Sequence, residues 1–163
     1  MIHQHEVAVI APLVLIGLVH RRIAKNGAFF LVVSNLPITV LHELAHFTAA
    51  LMLGGKPVGF SLWPTLKNGT WQLGSVTARV TIISAAPTAL APLLWLPVGG
   101  LLLVERTALA GESLPILCCI HLAAYMCVAA SIPSWQDIKV AIMHPLSLML
   151  WSAILVAADF VIG

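Results

Sequence analysis

Apolar residues occupy most of the chain, in runs centred on positions 7–19, 27–53, 81–104, 114–132 and 145–162, with short polar stretches between them. A helix crossing a bilayer needs about 20 such residues. The runs therefore predict an all-α integral membrane bundle of four to five transmembrane helices. The first run is short and borrows its flanks toward position 25, where Arg21, Arg22 and Lys25 can snorkel to the interface. These basic residues follow the run instead of preceding it, the reverse of a cleavable signal peptide, so the segment reads as a retained anchor. The third run contains Pro87, Pro92 and Pro97 and is expected to kink or break in its first half, which neighbouring helices can tolerate by satisfying the freed carbonyls. After a polar turn over 105–113, the fourth run is interrupted at Pro133-Ser134, and 135–144 reads as a short helix.

One stretch breaks the pattern. Over 56–79 Lys, Asn, Gln and Ser appear, and Phe60, Leu62, Trp63, Trp71 and Leu73 surround a central Asn68-Gly69. Asn-Gly between extended runs is a strong hairpin signal. The spacing predicts a β-hairpin associated with the membrane interface, the layer that tryptophan prefers. An irregular interfacial loop is the alternative.

Composition narrows the class. Of 163 residues, 60% are hydrophobic and only 9% charged, against about 25% charged in a soluble domain, so lipid is the expected solvent. The length accommodates a single membrane-embedded domain over 1–163, with an anchor span at about 7–25, a core at about 27–143 and a last span at about 145–162. The net charge of +2, with no Lys/Arg run interleaved with aromatics, excludes a nucleic-acid groove. Cys118, Cys119 and Cys127 fall in one apolar run and read as small packing residues, not as a disulfide framework or a CxxC knuckle. The expected location is a multi-pass position in the cell membrane.

Within the second run stands His42-Glu43-Leu44-Ala45-His46, an HExxH motif. On a helix the two histidines project from one face, about 6 Å apart along the axis, and two neutral imidazoles so placed can grip one zinc ion. Glu43 beside them can act as general base toward a water that zinc acidifies. Ionisable groups at the middle of a span cost several kcal/mol unless paired or functional, and three of five consecutive positions carry them here. The structural alternative is a polar helix–helix contact. A catalytic zinc normally has a third protein ligand, and the candidates are Glu6, Glu105, Glu112, His121, Asp137 and Asp159. Asp137 is favoured because Pro133 opens the backbone where a carboxylate can turn inward, although Ser134-x-x-Asp137 also reads as a capping box. His121 reads as a satisfied packing histidine. Pro37, five residues before His42, is expected to kink the second span or to start its helical part, with Asn35 near the freed backbone groups.

The apolar-flanked HELAH, the proline-containing third run and Pro133-Ser134-Trp135-Gln136-Asp137 together resemble the site-2 protease family of intramembrane zinc metalloproteases. The resemblance covers about 28–143 and is that of a minimal member without a PDZ domain. It implies His42, His46 and Asp137 as zinc ligands, Glu43 as general base, and the segment 56–79 as a strand-forming element that holds substrate in extended form. Ser84-Ala85-Ala86-Pro87 loosely resembles the family's small-residue and proline motif. The family's Leu-Asp-Gly is Gln136-Asp137-Ile138 here, and the asparagine that often precedes it is missing, which leaves Gln136 or Ser134 as candidate donors to an oxyanion.

The leading expectation is thus a zinc metalloendopeptidase that cuts a transmembrane or juxtamembrane segment of another protein. Two alternatives are a membrane HExxH peptidase of another class with a glutamate as third ligand, and a membrane protein that binds zinc or a partner without turnover.

Overall fold

The computed structural model describes residues 2–67 and 69–162. The chain is mostly helical. Helix α1 spans Ile2–Ala24, α2 Ala28–Met52, α3 Ala85–Leu90, α4 Trp95–Val104, α5 Arg106–Ala110, α6 Leu114–Ala130, α7 Trp135–Met143 and α8 Pro145–Ile162, and a 3-10 turn, Ala91–Leu94, joins α3 to α4. Between α2 and α3 lie four short strands, β1 (Lys56–Ser61), β2 (Thr65–Lys67), β3 (Thr70–Gln72) and β4 (Ser75–Arg79).

Two helical segments, Ala28–Met52 and Ala85–Val104, are long and apolar enough to cross a membrane. A third span results if Leu114–Ala130 and Trp135–Met143, bent by 48° at the Pro133 break, form one. Helix α1 falls outside this set, and the apolar part of the last helix, Pro145–Phe160, is shorter than a span. The polar turn expected over 105–113 contains the one-turn helix α5. Pro37 neither starts nor stops α2, which runs through it. The Asn35 amide and the Ser34 hydroxyl both donate to the Leu31 carbonyl.

The interior is built from small side chains. Ala50, Ala85, Ala124 and Ala130 are essentially inaccessible, and Ser84 and Ser147 lie among them. The large apolar side chains point outward: Phe29, Leu15, Leu101 and Leu155 are all more than 60% exposed. A water-soluble protein hides such residues. In lipid there is no gain in hiding them, and helices instead associate by close backbone approach through small residues. Gly99 is such a contact, since a Cβ there would meet the Ala124 carbonyl at 3.1 Å and the Cys127 Cβ at 3.2 Å on α6. Cys127 is buried in that seam, whereas Cys118 and Cys119 are exposed.

The four strands form two antiparallel pairs, β1 with β4 and β2 with β3, nested as the base and tip of one long hairpin. Gly69, with φ +77°, takes the left-handed conformation in the β2–β3 turn; Asn68 lies outside the described residues. The β1–β4 ladder slips between Pro57 and Gly59, beside a proline that has no N–H to give. Gly54, at φ +73°, turns the chain out of α2 and into β1, and β4 returns along the same helix. The hairpin thus lies against the helix that carries the HExxH motif.

Candidate metal centre

Helix geometry brings His42 and His46 one turn apart on one face of α2, their rings perpendicular and their Nε2 atoms 3.2 Å from each other. The third member arrives from the Pro133 break. Ser134 there adopts an extended conformation and N-caps α7: its hydroxyl accepts the Asp137 backbone N–H at 3.2 Å, and the Asp137 carboxylate accepts the Ser134 N–H at 2.7 Å. The capping reading and the ligand reading of Asp137 hold together. While it caps the helix, its Oδ2 lies 3.3 Å from His42 Nε2 and its Oδ1 3.2 Å from His46 Nε2.

The far nitrogens are tied to other helices. His42 Nδ1 donates to the Ala130 carbonyl at 2.9 Å and His46 Nδ1 to the Thr88 carbonyl at 2.8 Å. Both acceptors are available for a local reason. In a continuing α-helix the Thr88 carbonyl would receive the N–H of residue 92, but that residue is Pro92. The chain tightens into the 3-10 turn and leaves a lone pair of that oxygen for His46. Ala130 ends α6, and the Ser134 N–H that would have reached its carbonyl is turned to Asp137. Trp95 at the start of α4 braces the motif helix as well, its Nε1 donating to the Leu41 carbonyl at 2.9 Å.

These anchors decide the chemistry of the cluster. A carbonyl only accepts, so each Nδ1 carries the ring proton and each neutral Nε2 presents a lone pair. Two lone pairs and a carboxylate then converge within hydrogen-bond distance with nothing among them to donate. Such a group calls for positive charge at its centre, a metal ion or a bound proton. Among the described residues, His42, His46 and Asp137 form a group able to hold a metal ion, with all their ligand atoms within 4.8 Å of one another.

A cavity of about 880 Å³ opens onto this group. Glu43 lines it beside the two histidines, together with Trp71, Gly74, Val76 and Ala78 from the hairpin. The hairpin closes on the glutamate: a Cβ on Gly74 would lie 2.7 Å from Thr39 Cγ2 and 3.0 Å from Glu43 Cγ. Only glycine lets the β3–β4 connection sit so close. The Val76 backbone N–H faces the Glu43 carboxylate, so Glu43 looks onto the edge of β4 that no strand covers among the described residues.

The remaining candidates for a third ligand are elsewhere. Glu105, between α4 and α5, Glu112, between α5 and α6, and Asp159, on α8, are all exposed, and the Glu6 side chain lies outside the described residues. His121 is buried in α6 and bonds the Leu117 carbonyl of its own helix. It is not fully satisfied as a packing histidine, because its Nε2 has no hydrogen-bond partner among the described residues. Gln136 and Ser134 both line the cavity. The Ser134 hydroxyl accepts the Asp137 N–H and keeps its own O–H to give, and the Gln136 amide is exposed, so both retain a donor. His144, just past α7, also lines the cavity and was not singled out from the sequence. Its signal there is position i+7 from Asp137, on the same helix face.

No protein-family model, curated protein or solved structure matches the chain.

Proposed function

We propose that the protein is an intramembrane zinc metalloprotease resembling the site-2 proteases, with His42, His46 and Asp137 as zinc ligands and Glu43 as general base. The observation that carries this reading is the triangle of acceptors beside Glu43. The two Nε2 atoms lie 3.2 Å apart and face different oxygens of the Asp137 carboxylate, Oδ2 at 3.3 Å from His42 and Oδ1 at 3.2 Å from His46, and each of these separations is close to the roughly 3.3 Å between ligands of a tetrahedral ion with bonds of about 2.0–2.1 Å. Three protein ligands leave one position of such an ion open, the arrangement of catalytic zinc and not of structural zinc. The carbonyl anchors of both histidines are of the kind that orient metal-bound imidazoles.

Zinc held there supplies a Lewis acid that polarises a carbonyl and makes water acidic near neutral pH. Glu43 takes the proton of the attacking water and delivers it to the departing amine as the peptide C–N bond breaks. The substrate is a transmembrane or juxtamembrane segment of another protein. It must unwind first, because helical carbonyls are already hydrogen-bonded. The uncovered edge of β4 offers backbone groups to such an extended segment. In this reading α1, α2, the broken α3–α4 unit, α6 with α7, and α8 make up five spans of a cell-membrane protein, the upper end of the expected four to five, and the hairpin lies at the interface.

The test is zinc content per chain in detergent-purified, equally folded wild type, His46→Ala and Asp137→Ala, followed by cleavage assays of wild type against Glu43→Gln. About one zinc in the wild type, its loss in both variants, and a Glu43→Gln protein that keeps zinc but cuts nothing support the proposal. A metal-free wild type overturns it. Cleavage that survives Glu43→Gln removes the glutamate from its role.

A further inference from the structure

His144 lines the cavity without belonging to the metal centre or its anchors. Its Nδ1 lies 2.9 Å from the Val140 carbonyl one turn back. The carbonyl can only accept, so Nδ1 carries the proton and the neutral ring turns an acceptor Nε2 outward. Among the described residues that nitrogen has no hydrogen-bond partner, yet it is not among their buried unpartnered atoms. It is accessible.

Asp137, Val140 and His144 all line the cavity and follow the i, i+3, i+7 spacing of one helix face. Along that face His144 lies about 10 Å from Asp137, at 1.5 Å per residue. An extended peptide advances about 3.3 Å per residue, so the same span is about three residues of unwound substrate. An extended segment alternates its backbone groups between two edges, and β4 can pair only one of them. The N–H groups of the other edge still need acceptors, since each left bare in a dry site is costly.

We infer that His144 is a substrate-binding residue: its Nε2 accepts a backbone N–H of the unwound substrate about three residues from the bond that is cut. This rests on the protease reading and adds to it a second, side-chain wall for the substrate edge that faces away from the hairpin.

The probe is a fluorescent 24-residue Leu/Ala peptide with a central Gly-Pro pair, in detergent micelles, with the cut site fixed by mass spectrometry. A set of the same peptide carries single backbone N-methyl groups near the cut. With zinc content equal to wild type, His144→Leu should raise KM about five-fold and leave kcat within about two-fold, and His144→Gln, whose Oε1 restores an acceptor, should recover most of it. In the inactive Glu43→Gln background the same ordering should appear as dissociation constants by fluorescence anisotropy. N-methylation about three residues from the cut should weaken binding to His144-containing protein and cost His144→Leu nothing further. An unchanged KM and dissociation constant in His144→Leu, or an N-methyl penalty equal in both proteins, overturns the inference while the protease reading stands. A zinc-loaded wild type that neither binds nor cuts the peptide set strikes at the protease reading itself, and the inference falls with it.

Discussion

His46 and His121 are both buried in the middle of apolar helices, and both donate Nδ1–H to a backbone carbonyl at 2.8 Å. The carbonyl differs. His121 bonds Leu117, one turn back on its own helix, and its buried Nε2 has no hydrogen-bond partner among the described residues. His46 bonds Thr88, on another helix, where Pro92 has removed the usual donor. Its ring is therefore held across the interface, with Nε2 presented to His42 and Asp137. Burial and polarity are shared by the two residues; what separates them is a foreign carbonyl that, at a break in a neighbouring helix, keeps a lone pair beside its bond to the Ala91 N–H.

The sharpest break of this comparison is a matched pair of substitutions. His46→Leu should abolish metal binding, whereas His121→Leu should leave metal content at the wild-type level and thermal stability equal or higher, because it removes a buried nitrogen without a partner. Elemental analysis and thermal unfolding of the two variants check this, and metal loss in His121→Leu would refute the distinction. Next in size, Gly74→Ala should keep the metal and cut turnover on the order of 100-fold by pushing against Thr39 and Glu43. Steady-state kinetics on zinc-loaded protein read it out.

Pro92→Ala is a subtler test of the open carbonyl. A restored N–H competes with His46 for Thr88, so metal affinity should fall about 10-fold even as α3–α4 gains helical stability. Chelator competition and thermal unfolding should move in opposite directions. The smallest effect belongs to Ser134→Ala, which removes the cap of α7 at a cost of about 1 kcal/mol. It should also loosen Asp137 and weaken metal binding several-fold, in a chelator titration of the folded variant.

The HExxH spacing was enough to bring His42, Glu43 and His46 forward, because they stand at a readable helical interval, whereas Asp137 was singled out by the Pro133 break together with a family resemblance. Asn68-Gly69 likewise announced a hairpin, and its two nested ladders fit the predicted 56–79 segment. The Thr88 and Ala130 carbonyls were invisible, since every residue has a carbonyl and only the proline that frees one leaves a mark. Pro92 was read as a kink and not as the origin of a ligand anchor. Gly74 was missed because the need for a hydrogen at that Cα arises from tertiary contact with Thr39 and Glu43. His144 was missed because its helix, not its own neighbours in sequence, aligns it with Asp137. The number of spans depends on whether α6 and α7 cross as one bent unit, a matter of angle that apolar runs do not encode.

The two histidine anchors have a thermodynamic consequence for the whole bundle. His42 and His46 belong to α2, Asp137 to α7, and the Nδ1 contacts reach α3 and the end of α6. An ion held at the centre therefore rivets four helices whose buried side chains are mostly alanines, where little area is buried. Because it binds the assembled bundle and not the separated helices, free ion at 100 times its dissociation constant adds about 2.7 kcal/mol to the assembled state. Chelation should then be felt far from the cavity, as faster hydrogen exchange along α3 and α7 and a melting temperature that follows metal concentration.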